Sequence, residues 1–222
     1  MAALAPAHQH GRAPRGALLR PGTGRKITYT NPHRWLPGFR PADGDTALRT
    51  LVTRYLHAYG PATPAHFARW IGVPPRHAAA LFGELASALE RVELDGETAW
   101  TRAGDTGTPS EPHRGVRLLP YFDPYVVAGQ PRERLYPGAA AARALTPSGQ
   151  AGNYPVLLVD GMVGGVWHQR RSGRKLTITV EPLAELTARQ RRELDDEVSL
   201  VGAVMEATPT LTVGPVTVGP HA

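Results

Sequence analysis

From Asp45 onward, apolar residues recur at steps of three and four: Leu48, Leu51, Val52, Tyr55, Leu56 and Tyr59. One face of a 3.6-residue helix collects all six, so the spacing predicts an amphipathic helix, which Gly60-Pro61 ends. Thr63 then offers an N-cap oxygen and Pro64 fills the first helical position, predicting a short second helix through Phe67 and Trp70. Gly72-Val73-Pro74-Pro75 breaks it, and Ala78, Leu81, Phe82 and Leu85 mark the buried face of a third. Beyond Leu85 the period changes from helical to alternating, with Val92 and Leu94 set between Arg91, Glu93 and Asp95. Asp95-Gly96 is a two-residue hairpin turn and Thr98 to Thr101 is its returning strand. Three helices, a tight Gly-containing turn before the third, then a hairpin: this is the order of a winged helix-turn-helix.

The flanking segments are less regular. Residues 1 to 24 show neither period and are expected to be irregular, RKITYT from Arg25 to Thr30 reads as a short strand, and NPHRWLPGFRP reads as an extended connection packing Trp35 and Phe39 onto a neighbouring surface. After a polar linker, VRLLPYFDPYVV and YPVLLVDG read as buried strands or their edges, and GMVGGVWHQRRSGRKLTITV as a hairpin turning at Ser172-Gly173. Thr187 and Gln190 have capping-box spacing ahead of a helix with Leu194, Val198, Val201 and Met205 as its stripe, and Thr210 to Val213 form a last short strand. The fold class is therefore α+β: a central winged helix followed by a mixed domain whose order a degenerate copy of the first module would also give. The expected divisions are a basic arm and connecting strand over 1–42, the winged helix over 43–102, a linker over 103–114 and the C-terminal α+β domain over 115–222.

Composition narrows the function. The chain has 222 residues, enough for one or two domains, and no cysteine, which fits a reducing compartment and makes the cytoplasm the expected location. No apolar run approaches the roughly 20 residues of a membrane span, so no membrane partner is expected. Charge is uneven: Arg12, Arg15, Arg20, Arg25, Lys26, Arg34 and Arg40 precede the first acidic residue, leaving 18 basic against 19 acidic residues in the rest. Such an arm suits a polyanion.

Candidate contacts follow the positive charge. Arg25, Lys26 and Arg34 flank Tyr29 and Trp35. The third helix would present Arg76, His77, Ala79, Ala80, Gly83 and Glu84 to solvent, a face with one firm cation, better suited to backbone contact or packing than to base readout. The hairpin at His168 and Gln169 concentrates Arg170, Arg171, Arg174 and Lys175 at one turn, where they would straddle phosphates of duplex DNA, although a solvated loop would have the same composition. Signs of catalysis are few. The nine histidines have no metal-ligand spacing, no nucleophile elbow is present, GTGRK at 22–26 lacks the rest of a phosphate loop, and neither metal nor cofactor is expected. Asp195, Asp196 and Glu197 read as a solvated helix face, and Asp123 in YFDPY as a turn-stabilising acid.

RKITYTNPHRWLPG, RYLHAYGPATPAHFARWIGV, VRLLPYFDPYVV and PVLLVDGMVGGVW together resemble the bacterial winged-helix family typified by the DNA glycosylase AlkZ, over about residues 22 to 205. The resemblance implies tandem winged-helix modules that clamp duplex DNA, some members excising alkylated or crosslinked bases. It also implies a catalytic Gln-x-Gln or Gln-x-Asp element in a module ahead of the matched part. Here Gln9, Gln130, Gln150, Gln169 and Gln190 are not followed two residues later by Gln or Asp, so no catalytic residue carries over. The expectation is a DNA-binding protein that contacts the backbone through basic surfaces. The alternatives are the clamping portion of a glycosylase without its catalytic module, and a protein-interaction winged helix without nucleic acid.

Overall fold

The computed structural model describes residues 18–24, 26–94, 96–105, 107 and 111–220. The chain divides into two compact units, Met1–Leu48 and Arg49–Ala222. In the first, β1 (Leu18–Thr23) pairs antiparallel with β2 (Lys26–Thr30), followed by one helical turn, α1 (Pro32–Trp35). Both β1 and α1 correct the sequence expectation. Pro21 and Gly22 read as breakers, but the register shifts between Arg20 and Thr23, and that irregularity lets a strand accommodate them. Asn31 accepts a hydrogen bond from the His33 amide at 3.0 Å with Pro32 behind it, so the expected extended connection starts a helix instead. Trp35 and Phe39 remain 47% and 38% exposed, the latter meeting the His33 ring edge-on at 5.7 Å.

α2 (Gly44–Tyr59) crosses the unit boundary, and α3 (Pro64–Ile71) and α4 (Pro75–Glu84) follow it. Thr63 caps α3 as its sequence predicts, accepting from the His66 amide at 3.2 Å. A single 3-10 turn leads into β3 (Leu89–Leu94), which pairs with β4 (Glu97–Arg102) in one continuous register. Ala62, between α2 and α3, bridges Trp100 through reciprocal backbone bonds of 3.0 and 2.9 Å, tying hairpin to helices. Val52, Tyr55, Leu56, Phe67, Ala78, Phe82 and Leu85 form the buried cluster that these elements share. Of the face that periodicity assigned to the core of α2, Val52, Tyr55 and Leu56 are buried and Leu51 and Tyr59 partly so, whereas Leu48 is 41% exposed. Asp105 then accepts from the exposed His57 ring at 2.8 Å, which holds its carboxyl below the ordinary carboxylate range.

The remainder is a five-stranded sheet in the order β5 (Val116–Leu119), β6 (Val156–Val159), β7 (Met162–Ser172), β8 (Lys175–Pro182), β9 (Thr208–Val213), with β9 the one parallel partner. Alternate residues feed two cores. Val116, Leu118, Leu157, Trp167, Leu176, Ile178 and Val180 meet α8 (Ala188–Val204), whereas Val156, Leu158, Val163 and Val166 meet α5 (Pro124–Ala128), α6 (Arg132–Leu135) and α7 (Ala139–Ala144). The capping box of α8 forms as expected. At Gly165 the packing leaves no room for a side chain, because a Cβ would stand 2.3 Å from the Glu181 carbonyl oxygen on β8.

Three readings change here. PYVV is helix, not strand, because Asp123 caps Pro124–Ala128 through the Tyr125 amide at 2.9 Å. The hairpin turns at Gly173-Arg174, with Ser172 paired to Lys175. Glu197 is not a solvated acid: its side chain is 13% exposed, 3.4 Å from Arg117, and accepts the Leu118 amide at 3.2 Å, so it joins α8 to β5. A second internal clamp holds the other core. Arg143 donates two bonds to Glu181, at 2.8 and 2.9 Å, and one to the Val216 carbonyl, while the Val216 amide donates to Glu181 at 2.7 Å. The whole is α+β, and no helix of the described residues is long and apolar enough to cross a membrane.

Candidate nucleic-acid interface

Register decides which of the cations act together. Paired residues share a face, so Val166, His168, Arg170 and Ser172 lie on one side of β7, with Glu181, Thr179, Thr177 and Lys175 opposite them on β8. Trp167, Gln169 and Arg171 point to the other side, where α8 packs. Arg170 and Lys175 are thus neighbours on one exposed face and Arg174 stands in the turn. Arg171 does not belong with them. Its guanidinium donates to the Gly173 carbonyl at 2.9 Å and to the Met205 carbonyl at 2.9 Å, closing the C-terminal end of α8.

The same face continues onto β9, where Thr208, Thr210 and Thr212 pair with Lys175, Thr177 and Thr179. Sequence reasoning missed this extension, although the TxTxT alternation from Thr208 to Thr212 displays it. The parallel pairing that brings β9 alongside β8 is a long-range event with no local signature. The resulting surface is a grid of hydroxyls and cations with rows about 7 Å apart along each strand and about 4.8 Å apart between strands. Beneath it, Leu176 and Ile178 are fully buried against α8, which makes the platform rigid.

The other sequence candidates stand elsewhere. Arg76 and His77 are exposed on the first turn of α4, which packs in a different core cluster from the hairpin. At the far end of α4, Glu84 pairs with Arg49 at 3.6 Å, so that end offers no net cation. The β3–β4 hairpin ends in Glu93 and Glu97, charges that phosphate repels. Arg34 is exposed on α1 in the first unit, Lys26 lies in β2, and Arg25 falls outside the described residues. Asp123 serves α5 as its cap, the turn-stabilising role its sequence suggested.

A cavity of about 640 Å³ lined by Arg69, Trp70, Gln130, Arg132, Tyr136 and Gln150 also carries polar groups. Its half-buried cation is already committed, because Arg132 donates to the carbonyls of Val126 and Val127 and its charge lies over the Tyr136 ring. Among the described residues no cluster of three His, Cys, Asp or Glu side chains is placed to hold a metal ion.

A basic, hydroxyl-lined sheet beside a helical module agrees with what comparison with known proteins finds. The family model of AlkZ-like DNA glycosylases matches residues 7–204, and the chain belongs to that family. Among curated proteins it is 32% identical over 164 residues to an interstrand DNA cross-link repair glycosylase of Streptomyces sahachiroi, covering 69% of this chain and 43% of that protein. Among solved structures it matches the Streptomyces sahachiroi DNA glycosylase AlkZ with a TM-score of 0.71 and 27% identity, over 90% of this chain and 55% of the other. The chain therefore spans about half the length of the relatives it matches.

Proposed function

We propose that the chain holds duplex DNA by its backbone, through the exposed outer face of β7, β8 and β9, and that α2, α3, α4 and the β3–β4 hairpin constitute a winged helix beside it. One observation carries this reading: Arg170, Lys175 and Arg174 stand together at the end of a rigid sheet whose face adds Ser172, Thr177, Thr208 and Thr210. Cations displace counterions from phosphate, and hydroxyls donate to its oxygens, without selecting a sequence. The helix order and the Ala62 bridge to the β3–β4 hairpin support the winged-helix assignment. The acidic end of that hairpin and the single firm cation of α4 favour the sheet over the winged helix as the main grip.

The names of the two relatives favour damaged duplex DNA as what is held, with this chain acting as the clamping portion of a base-excision function. Fluorescence anisotropy of a labelled duplex across salt concentrations tests the reading. Binding should be nearly independent of sequence and fall steeply as salt rises. Binding unchanged between low and physiological salt, or none at low salt, would instead favour a protein-interaction module.

A further inference from the structure

β5 and β7 run in the same direction, and Leu119 and Val166 both pair with Val156, so the chain leaves β5 at the end of the sheet from which the β7–β8 hairpin projects. It passes there onto the face of Val166, His168 and Arg170, since Leu119 and Val126 pack in the core on that side. At this crossing stands Phe122. Three features set it apart. It is 61% exposed, among the most exposed large apolar residues described. Its φ is +58°, a left-handed conformation that costs a bulky residue energy and is retained where surroundings enforce it. Its ring lies so close over Gly152 that a Cβ there would be 2.7 Å from the ring's Cδ1.

The turn is also pinned on both sides. The Trp167 indole donates to the Leu119 carbonyl at 2.8 Å before it, and Asp123 accepts the Tyr125 amide at 2.9 Å after it. A loop that merely joined β5 to α5 has no need to hold an aromatic ring in solvent at a strained residue over a glycine. Resting on the DNA-holding reading above, we infer that Phe122 is a base-contacting wedge: with the backbone held on the cationic face, its ring stacks on or enters a base step of the duplex. Aromatic and aliphatic side chains inserted this way unstack neighbouring bases, and the energy for doing so comes from backbone contacts made elsewhere. The cations on the same face and at the same end of the sheet supply those contacts here, which favours DNA over a protein as the partner of this ring.

The test uses the whole chain and a duplex carrying 2-aminopurine beside a central mismatch, with anisotropy and 2-aminopurine fluorescence read in the same titration at low salt. The native chain should bind and raise the fluorescence at least about twofold through unstacking. Phe122→Gly should keep the affinity within about threefold but lose the rise, and Phe122→Trp should restore it. Gly relieves the positive φ, so the melting temperature of Phe122→Gly should hold or increase. A rise that survives in Phe122→Gly, or a native chain that binds without any rise, overturns the wedge and leaves the DNA-holding reading standing. A drop in melting temperature for Phe122→Gly makes the ring structural and also overturns it. Absence of binding by the native chain removes both, and would direct Phe122 to a protein surface.

Discussion

Replacing Arg170, Arg174 and Lys175 with Ala removes the cations that are exposed at the hairpin end and have no side-chain partner among the described residues. Arg171 is kept, because its guanidinium is engaged by the Gly173 and Met205 carbonyls. If each of the three meets one phosphate, the slope of log affinity against log salt should flatten by roughly 2.7, at about 0.9 per phosphate neutralised. Between 50 and 200 mM salt that corresponds to a loss of affinity about 40-fold smaller than for the native chain. The paired substitution Arg76→Ala with His77→Ala should flatten it by no more than about 0.9, since Arg76 is the one arginine or lysine of α4.

Anisotropy of a labelled duplex at five or six salt concentrations gives the slopes, and circular dichroism verifies the fold. All five changed side chains are exposed, so melting temperatures should stay near native. Arg171→Ala serves as the internal contrast: it should leave the slope nearly unchanged and lower stability by about 0.5–1 kcal/mol, through loss of a cation at a helix C-terminus. A larger flattening by the α4 pair than by the hairpin triple refutes the reasoning and moves the interface to α4.

Three further outcomes are expected. Tyr55 is 2% exposed, its hydroxyl has no partner among the described residues, and burial pushes its pKa up to about 12. Tyr55→Phe should therefore stabilise the fold by about 1 kcal/mol, and calorimetry showing a lower melting temperature would mean the hydroxyl is satisfied after all. Glu181 is held below its ordinary pKa, first by the Arg143 hydrogen bonds and also by the Val216 amide, against the opposing cost of burial. Its stabilising share is present above the unfolded glutamate pKa, about 4.3, and is lost as pH falls through the lower folded value. Glu181→Gln should consequently cost about 2 kcal/mol at pH 7, with the deficit shrinking in acid; a deficit constant from pH 7 to 3 argues against the charge. Alkylated duplex DNA incubated with the chain should accumulate no abasic sites, since none of its glutamines stands two residues before Gln or Asp, and enzyme-dependent accumulation lost on denaturation would refute this.

What could be read from the sequence divides by range. The faces of α2, α3 and α4 were legible because each is fixed by spacing within one turn, and the caps at Thr63 and Thr187 by a side chain reaching three residues ahead. The failures share a cause: a local signal that a neighbour overrode. Asp123-Pro124 carries the same cap-then-proline signal as Thr63-Pro64, but the apolar pair Val126-Val127 after it suggested a strand. α7 gave no clear period, because the residues it buries, Ala140 and Ala144, are small and form no conspicuous stripe. Glu197 looked solvated because an acidic run hides which member turns inward, and only β5, lying 79 residues away, reveals it.

The candidate interface follows the same logic one level up. Four cations around one turn were visible in sequence, but their division between two faces was not, because facing depends on the register of β7 against β8. That register separates Arg171, which stabilises a helix end, from Arg170 and Lys175, which face outward. Parallel pairing with β9 then adds three threonines that no hairpin pattern could assign to the same surface. Charge in a sequence therefore locates the turn proposed to meet DNA, whereas topology determines how many of its charges face outward together and which uncharged residues accompany them. For this chain the difference is one cation removed and three hydroxyls gained, a change that alters the expected salt slope by about 0.9 and makes the surface a broad face, not a tip.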